Sequence, residues 1–440
     1  MTGFAHPHGH VFYRKMGRDR PMIARGEGIY LYDQNGQRYL DGSGGALVVN
    51  VGHGRSEITS AISRQLEQVA YVHGTMFTSE AVEAYAEALA EVVAIPSPRF
   101  YFLSSGSEVV ETAIKLARQI QQARGEPSRH LIIGRHQSYH GLTLGALAAS
   151  GRPAFRAPYA GMFLDMPHID PPYPYRDASY GMEAAHRLEK EILVSGPENV
   201  AAFLAEPISG ASLGAVAPPK DYWPAIRQIC DRHGILLIAD EVLVGFGRTG
   251  TWWGLDHWDL KPDIMVSAKG AAGGYYPLGV LAARGSDIDL IHSELGDFSH
   301  GGTYSHHAVG AAAGLATLGI LQTEQLIDRS ARLGTLLGAR LQTRIGGHRH
   351  VGDVRGRGLF WALELVADRD TKKPFPRNAQ TAPLIWKAAF DRGLICYYSQ
   401  GCADGVNGDI VMVGPPFIID ESQIEELVEL LGSAVEAVCG

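Results

Sequence analysis

Apolar residues recur along this chain at two spacings, and each spacing predicts a different element. Over Ser56–Val69 and Glu80–Val93 they fall on one face of a helix. Over Ile29–Tyr32 and Gln37–Leu40 they form short runs around Asp33-Gln34-Asn35-Gly36, where Asn-Gly between apolar runs signals a hairpin. Pro96 and Pro98 then break the chain. Beyond them, short apolar strands alternate with amphipathic helices. Strands are expected at Phe100–Leu103, Leu131–Ile133, Val200–Ala205, Ile235–Ala239, Ile264–Ser267 and Leu278–Ala282. Helices are expected at Glu108–Gln122, Gly141–Ala149, Met182–Val194, Tyr222–His233, His307–Leu321 and Glu324–Gly346. Such alternation over roughly 200 residues predicts an α/β fold with a mostly parallel sheet covered by helices on both faces. Residues 151–181, rich in Pro, Tyr and Gly, read as a long surface loop, and residues 1–20 as a mobile tail.

After His350 the pattern changes. Leu359–Val366, Ile395–Ser399 and Ile410–Val413 read as strands, and Pro383–Asp391 and Glu421–Val438 as helices. A smaller α+β domain is expected there, over residues 326–440, with residues 1–50 packing against it and residues 51–325 forming the large domain.

Composition narrows the function classes. The 440 residues are 45% apolar and 20% charged, which are globular proportions. A net charge of −8 leaves no basic footprint for nucleic acid. No apolar run approaches the ~20 residues of a membrane helix, and the start lacks a signal-peptide core, so a cytoplasmic protein is expected. Cys230, Cys396, Cys402 and Cys439 fit no zinc spacing. His6, His8 and His10 alternate like ligands, but in a Pro/Gly-containing tail they read as solvated, and no metal is expected.

The 53 glycines exceed the usual share and cluster where strands end. Ser104-Ser105-Gly106-Ser107-Glu108 lies between a strand and a helix, so it is either an ordinary N-cap or a phosphate cradle. Tyr139 in Ser138-Tyr139-His140-Gly141 either packs at the surface or stacks on a planar ligand. Leu236–Ala239 runs into Asp240 and Glu241, where ligands of open α/β sheets bind; a carboxylate there holds a cation or a metal, or caps the next turn. Ile264–Ser267 leads to Lys269, either a solvated strand-end lysine or, if desolvated, a nucleophile. Gly270, Gly273 and Gly274 after it indicate a tight loop. Pyridoxal phosphate needs this set together: a lysine, an acid for the ring nitrogen, a phosphate cradle and groups on the ring faces.

With these parts in place, the chain resembles the class III aminotransferases, within the fold-type I pyridoxal-phosphate enzymes. The resemblance runs from Gly28 to the end and rests on SSGSEVVETAIKLAR (104–118), SYHG (138–141), AEPISG (205–210), LLIADEVLVGFGRTG (236–250), AKGAAGGYYPLG (268–279) and HGGTYSHH (300–307). VRGRGLFWALEL (354–365) and GDIVMVGPPFII (408–419) are similar to that family's C-terminal domain, which places Gly356-Arg357-Gly358 on a small-domain strand rather than in a dinucleotide fingerprint. The resemblance implies pyridoxal 5'-phosphate as cofactor. It implies Lys269 as the internal aldimine and proton shuttle, and Asp240 on the pyridinium nitrogen. Ser105, Gly106 and Ser107 would hold the phosphate, Tyr139 and Val242 would take the ring faces, and His140 and Glu206 would lie beside the ring. Thr303 would reach the phosphate of a neighbouring subunit in a homodimer.

The Tyr275-Tyr276-Pro277 form is similar to amine:pyruvate and ω-aminotransferases, whereas ornithine- and 4-aminobutyrate-type members carry a Gln where this chain has Leu243. The ω branch often has a bulky aromatic where Leu47 aligns, so an enlarged apolar pocket is expected beside Leu47, Tyr139 and Glu206. That branch also carries an Arg before GD…PP for the acceptor carboxylate. Here Asp404 and Asp409 occupy that stretch, and Arg152, Arg156 and Arg392 are candidates for the missing cation. The expected reaction is ping-pong transfer from an amine or ω-amino donor to a keto acid or aldehyde, with amines bearing sizeable apolar or extended groups favoured over short α-amino acids. Decarboxylation-linked transfer, an internal amino shift, an ornithine- or 4-aminobutyrate-type specificity and a non-catalytic binding protein are the alternatives.

Overall fold

Strands that are apolar on every residue must be covered on both faces, and the central sheet meets that demand. The computed structural model describes residues 9–440; His6 and His8, and any site they would form with His10, lie outside it. Among the described residues the sheet has eight strands. Its order is Pro98–Leu103, Gly279–Arg284, Ile264–Ser267, Leu236–Asp240, Val200–Ala205 and Leu131–His136, with Ser150–Gly151 and His168–Ile169 both pairing with Leu131–His136. Gly279–Arg284 runs antiparallel to its two neighbours, and the other pairings are parallel.

Side chains alternate along these strands, so odd and even positions feed separate cores. Ala202, Leu204, Leu236 and Ile238 join one cluster with Val109, Val110, Ala113, Leu116 and Ala117 of helix Gly106–Ala123. Phe203, Ala205, Leu237 and Ala239 join the other with helices Gly181–Ser195 and Tyr222–His233. Two smaller sheets complete the chain. Val351–Arg357, Phe360–Asp368, Asp409–Val413 and Tyr397–Gln400 form an antiparallel sheet, with Lys373–Pro374 added to the second strand. Ile23–Glu27, Tyr30–Asp33 and Arg38–Asp41 form an antiparallel meander, and Leu394–Ile395 pairs in parallel with its last strand.

Several expectations need correction. The run expected as one strand at Ile395–Ser399 is split at buried Cys396, its halves pairing in different sheets. Strand Ile23–Glu27 and helix Gly285–Leu295 were not signalled, and strand Val351–Arg357 only at Gly356-Arg357, through the family resemblance; Ile23–Glu27 is largely exposed, so its sequence carries little apolar alternation. Residues 151–181 are not simply a surface loop. They contain helix Pro153–Arg156 and strand His168–Ile169, and Tyr173 and Arg176 bond to fully buried Glu364 at 2.5 and 2.6 Å. Arg355 completes this cluster with a 2.6 Å bond to Glu364 and bonds to the Leu213 and Gly214 carbonyls. The described part of the N-terminal tail is also engaged: Arg18 lies 4.7 Å from the Trp386 ring.

The large and small sheets meet through contacts that leave no room for a side chain. Buried Arg248 donates to the carbonyls of Val49, Leu359 and Pro415 at 3.0, 3.1 and 2.7 Å. Helix Leu326–Ile345 presses Gly334 onto the backbone of Gly358, where a Cβ would overlap the Gly358 carbonyl. Backbone on both sides cannot rotate away, so Gly334→Ala is expected to destabilise the protein by about 1–3 kcal/mol, read as a lowered thermal midpoint. An unchanged midpoint would show that the helix shifts freely.

Candidate active site

Two adjacent parallel strands set the centre of the site. Val266 pairs with Asp240, so the chain after Ser267 leaves the sheet beside the Asp240 carboxylate. Strand alternation separates the two acids. Asp240 lines a cavity of ≈ 460 Å³, whereas Glu241 faces away and accepts from the Gly254 and Leu255 backbone N–H groups at 2.6 and 3.0 Å. Burial pushes the Glu241 carboxyl up to about 8.

Asp240 is 3% exposed. Its Oδ2 accepts from His140 Nδ1 at 2.7 Å and its Oδ1 from Val242 N–H at 3.0 Å. Lys269 opens a short 3-10 turn with φ +42°, a left-handed backbone costly for a non-glycine residue. Asn50 braces that turn, donating to the Gly270 carbonyl at 3.0 Å. Burial pulls the Lys269 amine down to about 8, opposed by the Asp240 and Glu206 carboxylates. Glu206 is 5% exposed; Oε1 accepts from Gly210 N–H at 3.0 Å, and burial raises its pKa. Two buried polar atoms here have no protein partner, His140 Nε2 and Glu206 Oε2.

Ser104, Ser105, Gly106 and Ser107 form another wall, at the start of helix Gly106–Ala123. Ser105 is its N-cap and accepts from Glu108 N–H at 3.3 Å, so the capping reading holds. The same turn also leaves backbone donors at the cavity, as a phosphate cradle requires. A Cβ on Gly106 would sit 3.1 Å from Val242 Cγ1, and one on Gly141 2.6 Å from Ser107 Oγ, so side chains at either position would fill the wall. Tyr139 is half-buried, edge-on to Phe155 at 5.8 Å, and burial raises its pKa.

Of the residues singled out in the sequence, Leu47, Ser105, Gly106, Ser107, Tyr139, His140, Glu206, Asp240, Val242 and Lys269 line this one cavity, as does Leu243. Thr303 does not; it is exposed, and its carbonyl accepts from Tyr71 OH at 2.9 Å. Leu47 is 2% exposed and packs against Gly414. Arg156 is committed to the carbonyls of Leu147, Ala148 and Ser150, and Arg392 to that of Ala388. Asp404 and Asp409 are held by nearby backbone N–H groups. Arg152 does reach the cavity. Arg14, Phe155 and Tyr397 line it as well, and local sequence pattern gave no signal for them. Among the described residues no cluster of three or more His, Cys, Asp and Glu could hold a metal, and no helix is long and apolar enough to cross a membrane.

Comparison with known proteins gives this geometry a family. An uncharacterized aminotransferase of Schizosaccharomyces pombe is 38% identical over 434 residues, covering 97% of this chain and 95% of its own. The putrescine–pyruvate aminotransferase of Pseudomonas aeruginosa is 37% identical over 417 residues, covering 93% and 89%. A thermostable (S)-enantioselective omega-transaminase from Thermomicrobium roseum superposes with a TM-score of 0.88 at 37% identity, over 96% of this chain and 94% of that one. The aminotransferase class-III family matches residues 14–435, almost the whole sequence, and the chain belongs to that family.

Proposed function

We propose that the cavity holds pyridoxal 5'-phosphate and transfers an amino group from an amine or ω-amino donor to a keto acid or aldehyde. The observation that carries this reading is the meeting of Lys269 and Asp240 at one sheet edge, with unpartnered His140 Nε2 and Glu206 Oε2 buried around them. The residues fit the group in three respects. The start of helix Gly106–Ala123 offers N–H donors and favourable dipole density to a phosphate. Asp240 offers a carboxylate to the ring nitrogen, and His140 and the Val242 N–H hold its two oxygens. Tyr139 and Val242 offer surfaces for the ring faces. When bound, the cofactor supplies a carbonyl carbon that joins the amine and a ring that accepts the electrons released at the substrate carbon.

The protein's part follows from the positions of its groups. Lys269, whose amine burial pulls down to about 8, would take the proton from the substrate Cα and deliver it to the cofactor's carbonyl carbon, on the other side of the shared nitrogen. Asp240 keeps a proton on the ring nitrogen. Leu47, Ile208 and Leu243 exclude water along the apolar side of the cavity, which suits donors with apolar or extended groups. The P. aeruginosa relative's name supports an amine donor and pyruvate as a working acceptor.

A second copy of the chain fits the exposed face around Thr303. Met76, Phe77 and Tyr304 are 72, 64 and 61% exposed, and the loop bearing Met76 packs beside His306. Large apolar side chains gathered at one place mark an interaction surface. Thr303 then serves the phosphate of the partner subunit.

These outcomes are expected. Adding an amine bleaches the holoenzyme's cofactor absorbance and adding a keto acid restores it; borohydride fixes the cofactor to Lys269. Lys269→Ala loses turnover by about 10²–10⁴-fold or more, and labelling at another lysine would refute its role. Because neutral amine is the nucleophile, labelling of cofactor-free protein at Lys269 by a small aldehyde should rise with pH through about 8 and level off above it. Asp240→Asn should cut kcat about tenfold or more at saturating cofactor, the scale of one charge-assisted hydrogen bond; a variant restored to full rate by added cofactor would speak against ring protonation. Finally, cofactor removal should weaken the dimer in sedimentation experiments, since a ligand that binds only the assembled state stabilises it. A fully active monomer would contradict the assignment of Thr303.

A further inference from the structure

The two ends of the cavity differ in charge. Asp240 and Glu206 lie at the inner end with Lys269, whereas Arg14 and Arg152 stand at the wall built by Phe155 and Tyr397. The Arg152 guanidinium lies 4.5 Å from the Phe155 ring and that of Arg14 lies 5.7 Å from the same ring. Two cations therefore share one aromatic side chain. The groups that act most strongly on Arg152 are Tyr397, Arg14, Tyr139 and Arg377, and among the described residues no carboxylate forms an ion pair with it. Its one side-chain hydrogen bond among the described residues runs from Nη2 to Ser399 Oγ at 2.5 Å. A guanidinium carries five N–H donors, so most of the fork is unused.

A half-buried cation beside other cations is unfavourable unless an anion joins it. Burial already lowers the pKa of Arg152. Neighbouring arginines are otherwise occupied: Arg156 by three carbonyls, and Arg377 by the Val406 carbonyl. Loop 401–408 lies against Pro153, next in the chain, and carries no basic residue of its own. From this geometry we infer that Arg152, backed by Arg14, is the specificity-determining cation that holds the substrate carboxylate. The inference rests on the aminotransferase reading, which puts the reacting nitrogen or carbonyl at Lys269. The planar fork meets a carboxylate through two parallel hydrogen bonds, with Ser399 fixing the fork's orientation. A substrate with a second ammonium in place of the carboxylate would meet Arg14 and Arg152 as like charges.

The test separates binding from turnover. Butyrate, which carries neither amine nor carbonyl, is titrated into the holoenzyme by calorimetry. Pyruvate and propanal are then compared as acceptors. Arg152→Gln keeps a donor for Ser399 but removes the charge. It should weaken butyrate about tenfold or more, the scale of a lost charge-assisted bond, and lower the pyruvate-to-propanal ratio of kcat/KM by a similar factor. Arg152→Lys should recover part of both, and Arg14→Ala, at an exposed position, should shift both in the same direction by less. Butyrate binding unchanged in Arg152→Gln, or equal losses for both acceptors, would overturn the inference and leave Arg152 as a brace for Ser399. A wild-type holoenzyme that binds butyrate through Arg152 but is bleached by no amine would instead sink the aminotransferase reading.

Discussion

The site depends on one constraint, the in-register parallel pairing of Leu236–Asp240 with Ile264–Ser267. Parallel neighbours end at the same edge, so a carboxylate closing one strand and a lysine just past the other must meet. Strand alternation then sends Asp240 to the cavity and Glu241 to the backbone N–H groups of the next loop. A slip of one residue would exchange those two fates. Both strands are buried along their whole length, so the register is held by hydrophobic packing on two faces rather than by the polar groups themselves.

Around that pair, local environment decides what each side chain is. Lys269 sits low in pKa because protein rather than water surrounds its amine, even with two carboxylates pulling the other way. His140 spends one ring nitrogen on Asp240 and leaves the other buried without a protein partner. Asn50, more than 200 residues away in sequence, steadies the strained turn that presents the lysine. Each holds a neighbour in place before any ligand arrives, which is what low reorganisation cost in an active site requires.

What was legible in the sequence was whatever local pattern encodes. The strands at Val200–Ala205 and Ile264–Ser267 are continuous apolar runs, and the glycine- and serine-rich turns follow strand ends. Most residues singled out there meet in one cavity for the topological reason given above. Long-range pairing was not legible. Nothing local announces that residues 394–400 divide at Cys396 between two sheets, or that Arg14 and Tyr397 arrive at one wall from opposite ends of the chain. Residues 151–181 look like a loop by composition, yet Tyr173 and Arg176 reach a carboxylate on strand Phe360–Asp368, nearly 200 positions away. Thr303 is exposed in the single chain and does not line the cavity.

The wall formed by Arg14, Phe155 and Tyr397 has a further consequence for how this scaffold evolves. Its residues come from a segment without regular structure, a one-turn helix and the start of a short strand. None of them belongs to the two strands that carry Asp240 and Lys269. Exchanging side chains there alters shape and charge at the mouth while the buried register beneath stays intact, because loops tolerate replacement better than packed strands. In the reading proposed above, selectivity and chemistry thus lie on separate parts of the chain. A combinatorial library restricted to that wall can diversify what enters the cavity at little risk to folding, whereas one that includes the strand ends would spend most of its members on misfolded protein.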